Sequence, residues 1–586
     1  MLIKRTLFAL AVIAGLAVAF ADPYVHDTGA WLTDPAEASA GGSVTLAVLS
    51  GSRTWNIVAS READDARDLT MGDFSVLLRR DPVTQVFEPW AAESYEVSDD
   101  GLVVTVKLRP ELQWSDGEQI TAADYMLFYT TTQDPEVESP NADLFTVGDQ
   151  VVEVTSPDES TLIFRFPEPN RRALAIVTFV QPVPDHILGE VYREGGAEAF
   201  KSAWGTDTPV DELVFDGPFM IQSYSPDERY TLVRNPGWSN WNVDSDGNPL
   251  PYLDQVNVTI AEQEAQLNLF LAGELDIYAP ANLDDVSVVA QANNAGEIDV
   301  MLRPNLYQTE SRLFYTFNWN LASDPFKQEV FRSVAFRQAM SHLTPRESLV
   351  DLVYGGAAEP MYLPVNDAFK FWLPPEERQI QFPFDPERAL ELLAEVGFTE
   401  SNSDGWLVDA DGNELGFKLV TNSGNAVREQ TIQIIADTMR EYGVKVETEA
   451  LDFSLLVDQL LSTGEDRPFD AILIGLTGGS LDWFFSDSVY SCKGSLHMWN
   501  TSGECLVPSE TLISELALEG QRTLDDPQAQ EYAYRLLDSF GRLQPMIQTV
   551  GQLNHAAWAS DVGGEYDDSV LNSIIGTRSL MYTYRR

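Results

Sequence analysis

Few side chains in this chain are arranged to do chemistry. The five histidines, His26, His186, His342, His497 and His555, include no pair at the spacing that sets two imidazoles on one face of a helix. No G-x-S-x-G presents a serine on a strand-to-helix turn, and no G-x-x-x-x-G-K-[ST] cradles a phosphate. No H-E-x-x-H offers a zinc pair, and no G-x-G-x-x-G follows a strand. Catalysis therefore lacks its usual parts, and no cofactor or metal is called for. Two other groupings could hold a cation. Asn242–Asn248 (NVDSDGN) places oxygens at 242, 244 and 246 with Gly247 at the turn, but Leu253 stands where a calcium loop needs its bidentate Glu. A turn leading into Leu250–Asp254 is the better reading. Cys492 and Cys505, the only cysteines, enclose His497 and Met498. That set matches no ligand spacing, and in an oxidising compartment the two thiols most simply close one disulfide loop.

The compartment is suggested by the first residues. Lys4 and Arg5 precede an apolar run, Leu7–Phe20, and Ala19-Phe20-Ala21 has the small-residue pattern of a cleavage site. We expect residues 1–21 to be an export signal, with no cysteine near the cut to take a lipid. Residues 22–41 are small, polar and aperiodic, the composition of a flexible tether. The charge balance is severe, with 37 basic against 91 acidic side chains and a formal net charge of −54. Nucleic acid and anionic membrane surfaces are poor partners for such a chain. The excess of carboxylate fits either a salty habitat, where counterions screen self-repulsion, or the ordinary acidity of an exported protein.

At 586 residues the chain is too long for one core, and two or three lobes are expected. Residues Ala91–Arg109 alternate apolar and polar on either side of Ser98-Asp99-Asp100-Gly101, a hairpin pattern. Then comes WSDGEQITAADY (Trp114–Tyr125), with Thr121 at an N-cap position and Asp124 three residues on. From Gly42 an apolar strand runs to a loop, Gly51–Asn56, and Phe215–Tyr224 with Tyr230–Asn235 reads as a hairpin or a crossover. Beyond residue 300, helices are expected at 328–342, 385–396, 427–442 and 452–462. Strands are expected at 416–421, 444–449 and 469–475, an alternation that favours parallel sheets.

The block from Ala91 to Tyr125 resembles the signature of the extracytoplasmic solute-binding proteins of peptide-type ABC importers, family 5. Further pieces follow in the family's order: Arg234–Trp238 (RNPGW), Leu250–Asp254 (LPYLD), Gly273–Ile277 (GELDI), Phe336–Val350, Phe384–Phe398 and Phe469–Gly475 (FDAILIG). The resemblance implies an α/β, two-lobed, type II periplasmic-binding-protein-like clamp with an additional third domain. Residues 42–75, 215–300 and 545–586 would form lobe 1, residues 76–214 the extra domain, and residues 301–544 lobe 2. It also implies a monomer that binds a small solute, an oligopeptide or, as the alternative, an oligosaccharide, and hands it to ABC permease subunits; a secreted ligand sensor or chaperone-like binder without a permease would use the same fold.

Site residues carried over from the resemblance begin with Leu476–Trp483, including Thr477, Gly478, Gly479, Asp482 and Trp483. Peptide-binding relatives pair an aspartate in this loop with the ligand's amino group. Gly479 takes that place here, which weakens amine capture and leaves Asp482 as the nearest acid. Phe453 matches an aromatic set against the ligand. Asn425 and Arg428 open a helix after a strand, where free N–H groups and a cation converge, and Arg428 would take a carboxylate. A first-turn surface charge is the alternative for Arg428. Ser52, Thr54, Trp55 and Asn56 follow the first strand and should face the cleft, with Trp55 either a stacking platform or core. If counterions do screen self-repulsion, the melting temperature rises as NaCl is raised from low to molar concentration; a flat or falling trend rules against that account.

Overall fold

The computed structural model describes residues 19–20, 38–60, 67–71, 74–80, 86–148, 150–244, 246–304, 312–365, 372–476, 486–553, 555–564 and 580–586. All of the expected signal except Ala19 and Phe20, which form a short strand, and most of the tether lie outside these. Two large apolar cores organise the chain. One gathers residues from Val44 to Val258 with Ala556, Trp558 and the Leu580–Tyr584 stretch, and the other gathers Leu313 to Val550. A small third cluster around Phe270, Tyr278, Val289 and Ala557 sits beside the first. The chain passes between the large cores twice, between Arg303 and Leu313 and again between Gln548 and Ala556.

The first core is built on two sheets. One is antiparallel, in the order Ala19–Phe20, Ala92–Val97, Val103–Leu108, Thr161–Arg165, Glu153–Asp158. The other runs Phe219–Ser225, Arg229–Arg234, Gln255–Ile260, Ser43–Val48, the last pair parallel. Both hairpins expected from the sequence form. Asp100 closes one turn by accepting the Ser98 hydroxyl and the Leu102 N–H. Pro226 and Asp227 fall in the other, between Ser225 and Arg229.

The signature block turns out to be a structural knot. Thr121 caps the Ala122–Gln133 helix in a capping box with Asp124. The Asp124 carboxylate also accepts the Trp114 indole N–H at 3.3 Å and the Asp185 N–H at 2.9 Å. Burial pushes its pKa up against those hydrogen bonds, which favour the charged form. The RNPGW segment docks beside this block: Asn235 donates to the carbonyls of Phe215 and Gly217. Gly237 lies so close that a β-carbon there would stand 2.8 Å from the Gln113 carbonyl oxygen and 2.9 Å from that of Trp114. Only glycine fits without moving backbone.

The second core surrounds a five-stranded sheet ordered Lys445–Leu451, Gly416–Asn422, Ala471–Leu476, Arg312–Phe317, Met546–Gln548. The expected alternation gives parallel pairs only among the first three strands, which are joined by the Ala426–Glu441 and Phe453–Leu461 helices. The last two strands run antiparallel to their neighbours because the chain enters and leaves this core through them. The helix expected at 328–342 is broken into Pro325–Arg332 and Val334–His342. Ser333 ends one helix and caps the other, and the bend lets the buried Arg337 guanidinium donate to the Phe331 carbonyl at 2.6 Å while lying over Trp319.

Cys492 and Cys505 form the expected disulfide. His497 inside that loop bonds instead to the Val489 carbonyl and to buried Glu510. In the Asn242–Asn248 loop, Asp244 accepts the N–H groups of Asp246 and Asn248 and the Tyr252 hydroxyl, so its oxygens serve the turn. Among the described residues no helix is long and apolar enough to cross a membrane. Replacing Gly237 by Ala should lower stability by about 1–3 kcal/mol through overpacking against the Gln113–Trp114 backbone, read as a fall in melting temperature.

Candidate functional site

A cavity of about 100 Å³ lies where the two cores face each other. The first-core side contributes Gln263, at the start of the Gln263–Leu271 helix that follows the Gln255–Ile260 strand and carries Phe270 of the small third cluster. The other contributes Tyr354, Asn425 and Arg428 as polar groups, with Leu313, Val427, Gly475 and Val550. Gln552 joins the lining from the second crossing and donates to the Ala281 carbonyl.

The cation is placed by local rules. The Gly416–Asn422 strand ends and the chain turns at Gly424, whose φ of +79° is the left-handed region where glycine is favoured. Asn425 then caps the Ala426–Glu441 helix by accepting the Arg428 N–H at 3.0 Å. Arg428 therefore stands in the first turn, and its guanidinium donates to Asn422 Oδ1 at 2.7 Å. Burial holds its pKa below the usual arginine range, and the buried Tyr354 hydroxyl nearby is pushed up to about 12. In a chain with 91 acidic residues, no carboxylate among the described ones pairs with Arg428. Gln263 Oε1, facing it from the other core, is buried without a hydrogen-bond partner. The arrangement offers a desolvated cation and an acceptor on opposite walls of one space. That suits a ligand group carrying negative charge beside a donor.

The sequence reading brought Asn425 and Arg428 to this cavity but missed Gln263, Tyr354 and Gln552. Gln263 obeys the same strand-end rule and was within reach of it. Thr477, Gly478, Gly479, Asp482 and Trp483 lie outside the described residues. Phe453 is half-buried on the second core at the start of its helix. The loop after the first strand is placed differently from the expectation. Trp55 is 1% exposed and packs edge-on against Tyr224 and Tyr230, so it is core and not an exposed platform. Asn56 donates to the Phe200 carbonyl and Thr54 to that of Trp204, while Ser52 is buried. These side chains bind the loop to residues 200–205 by sharing carbonyls that also accept backbone N–H groups, those of Ala203 and Trp55. Arg53, between them, does reach across the rim, to Asp452 at 3.2 Å. Both side chains are about half exposed, so the pair contributes ~0–1 kcal/mol.

The sequence model for bacterial extracellular solute-binding proteins, family 5 Middle, matches residues 86–496. The chain belongs to this family. A probable ABC transporter-binding protein of Deinococcus radiodurans is 36% identical over 99% of both chains. The oligopeptide-binding protein AppA of Bacillus subtilis is 25% identical over 79% of both chains. Its structure in complex with a nonapeptide superposes with a TM-score of 0.77 at 20% identity, covering 94% of this chain and all of that one. The periplasmic binding protein MelB of Agrobacterium fabrum, in complex with stachyose, gives a TM-score of 0.80 at 21% identity, covering 94% and 85%. The family-5 fold is thereby shown as an α/β clamp, and the two cores with a cavity between them are its halves. In this family-5 protein Trp55→Ala should cost about 3–5 kcal/mol of stability, the scale of emptying a buried aromatic site, and lower the melting temperature with or without ligand present.

Proposed function

We propose that this protein is the capture component of an ABC importer, binding an oligopeptide-like solute between its lobes and delivering it to permease subunits. In this reading, residues 42–75, 215–300 and 545–586 form lobe 1, residues 76–214 an extra domain packed on it, and residues 301–544 lobe 2. The signal at 1–21 exports the chain to the periplasm, where it acts as a monomer without a lipid anchor. Binding favours the closed form in proportion to the contacts that the ligand makes only there, and no chemical step is involved.

The observation that carries the reading is Arg428. A guanidinium held in a low-dielectric wall with no described acidic neighbour is complemented by a ligand anion, and a peptide's C-terminal carboxylate is one. The adjoining peptide N–H supplies the donor that Gln263 Oε1 lacks. The name of AppA and the nonapeptide in its structure support the same class. A second reading, an oligosaccharide, is favoured by the likeness to stachyose-bound MelB and by a periplasmic alpha-galactoside-binding protein of Rhizobium meliloti, 26% identical over 68% of this chain.

The material released by denaturing gently purified protein separates the two. Mass spectra should show a ladder of peptide masses; hexose increments would replace the peptide reading with the sugar one. For a released peptide resynthesised as free acid and as C-terminal amide, calorimetry should give about 10–100-fold weaker binding of the amide, the worth of one charge-assisted contact. Arg428→Met should bind both forms equally weakly, with little change in the melting temperature of the unliganded protein. If acid and amide bind the native protein alike, Arg428 does not hold the carboxylate.

A further inference from the structure

A second contact joins the two halves through residues that do not line the cavity. On one side are Asp143 in the Ala142–Phe145 turn and the segment from Glu168 to Arg172. On the other are the Asp487–Tyr490 turn, Ser495, and the C-terminal end of the Pro508–Arg522 helix. That helix ends with carbonyls that no residue of its own can satisfy. Arg171 satisfies two of them: its N–H donates to the Gln521 carbonyl at 2.9 Å and its Nε to that of Thr523 at 3.1 Å. Its Nη2 pairs with Asp526 at 2.7 Å, and its guanidinium lies 5.3 Å from the Trp372 ring. Arg522 returns the exchange by pairing with Glu168 at 2.5 Å, and also reaches Glu519. The Ser495 N–H donates to Asp143 Oδ2 at 2.9 Å.

The middle of this contact contains two carboxyl groups. Asp143 and Asp487 are both withdrawn from water, and each keeps one oxygen, Asp143 Oδ1 and Asp487 Oδ2, without a hydrogen bond. Asp143 faces Ser488, Ser495 and Arg172. Asp487 faces Arg172, Gln521, Asp143 and Arg522. One nearby buried cation thus serves two buried acids that come from opposite halves of the molecule. Separating the halves would return both acids to water.

We propose that this contact is a clasp that forms and breaks as the lobes close and open, and that its formation takes up protons on Asp487 and Asp143, so that mild acid favours the closed form. It rests on the lobe motion of the proposed function. The direction follows from burial. Desolvation raises both carboxyl groups above their ordinary value, Asp487 from 3.8 to about 6, with Arg172 opposing the shift. A group whose pKa is higher in the closed form binds its proton more tightly there, so closure gains as pH falls through about 6 and the gain is absent well above it. For Asp487 alone, the closed-to-open ratio should rise about fourfold between pH 7.5 and pH 5.5.

Spin labels at Glu194→Cys and Glu515→Cys, exposed on helices of the two sides, read the separation by pulsed electron paramagnetic resonance in the full mature chain. The expected result is two distance populations, the shorter gaining about fourfold over the longer on going from pH 7.5 to pH 5.5. Asp487→Asn, which keeps the shape and removes that group's titration, should raise the shorter population at pH 7.5 and reduce the pH response to what Asp143 supplies. Arg171→Ala should deplete it at both. A single distance in every sample means that the halves do not move, and overturns the lobe-closure reading together with the clasp. Two populations that ignore pH, or a pH response unchanged in Asp487→Asn, leave lobe motion standing and overturn the clasp.

Discussion

The structure depends on one constraint: the chain builds two separate apolar cores, and between the described residues it passes from one to the other twice. Each core buries its own strands and helices, and the surface between them is left to polar groups at strand ends. The cavity is a consequence of that division. Gln263 stands where the Gln255–Ile260 strand gives way to a helix, and Arg428 where Gly416–Asn422 does. Gln552 lies on a crossing itself, so the cavity has its polar groups on both cores and on the segment about which they could move.

Charge is distributed unevenly across this plan. The acidic excess is spread over the surface, while the second core keeps several cations inside. Arg337, Arg346 and Arg467 are fully buried and bonded to carbonyl oxygens, and none of the three has an ion-pair partner among the described residues. Burial lowers their pKa to about 9, about 10 and about 9, which still leaves them charged at neutral pH. Carbonyl dipoles stabilise these charges without cancelling them. Arg428, half-buried and bonded to the Asn422 side chain, instead opens onto the cavity and puts a positive charge there.

What the sequence disclosed was local. Thr121 with Asp124, the Ser98–Gly101 turn and Asn425 ahead of a helix are signals within four residues, and each forms as read. The break at Ser333 escaped because the apolar period runs through it; the cause is Arg337, which must reach Phe331 and Leu543. Trp55 shows another limit, since an aromatic after a strand looks the same whether it meets a ligand or, as here, Tyr224 and Tyr230. Arg171 showed nothing in the sequence at all. Its partners are some 350 positions away, and no periodicity or cap announces a contact of that range.

The disulfide joins a buried cysteine, Cys492, to an exposed one, Cys505. Ser495, whose N–H meets Asp143, lies inside the loop closed by Cys492 and Cys505. That loop also carries His497 and Trp499, both tied to buried Glu510. The cross-link lowers the conformational entropy of the loop, so less ordering is left to oppose the contact with Asp143. If the clasp proposed above closes over a bound solute, such preorganisation would link solute release to the oxidation state of two sulfur atoms.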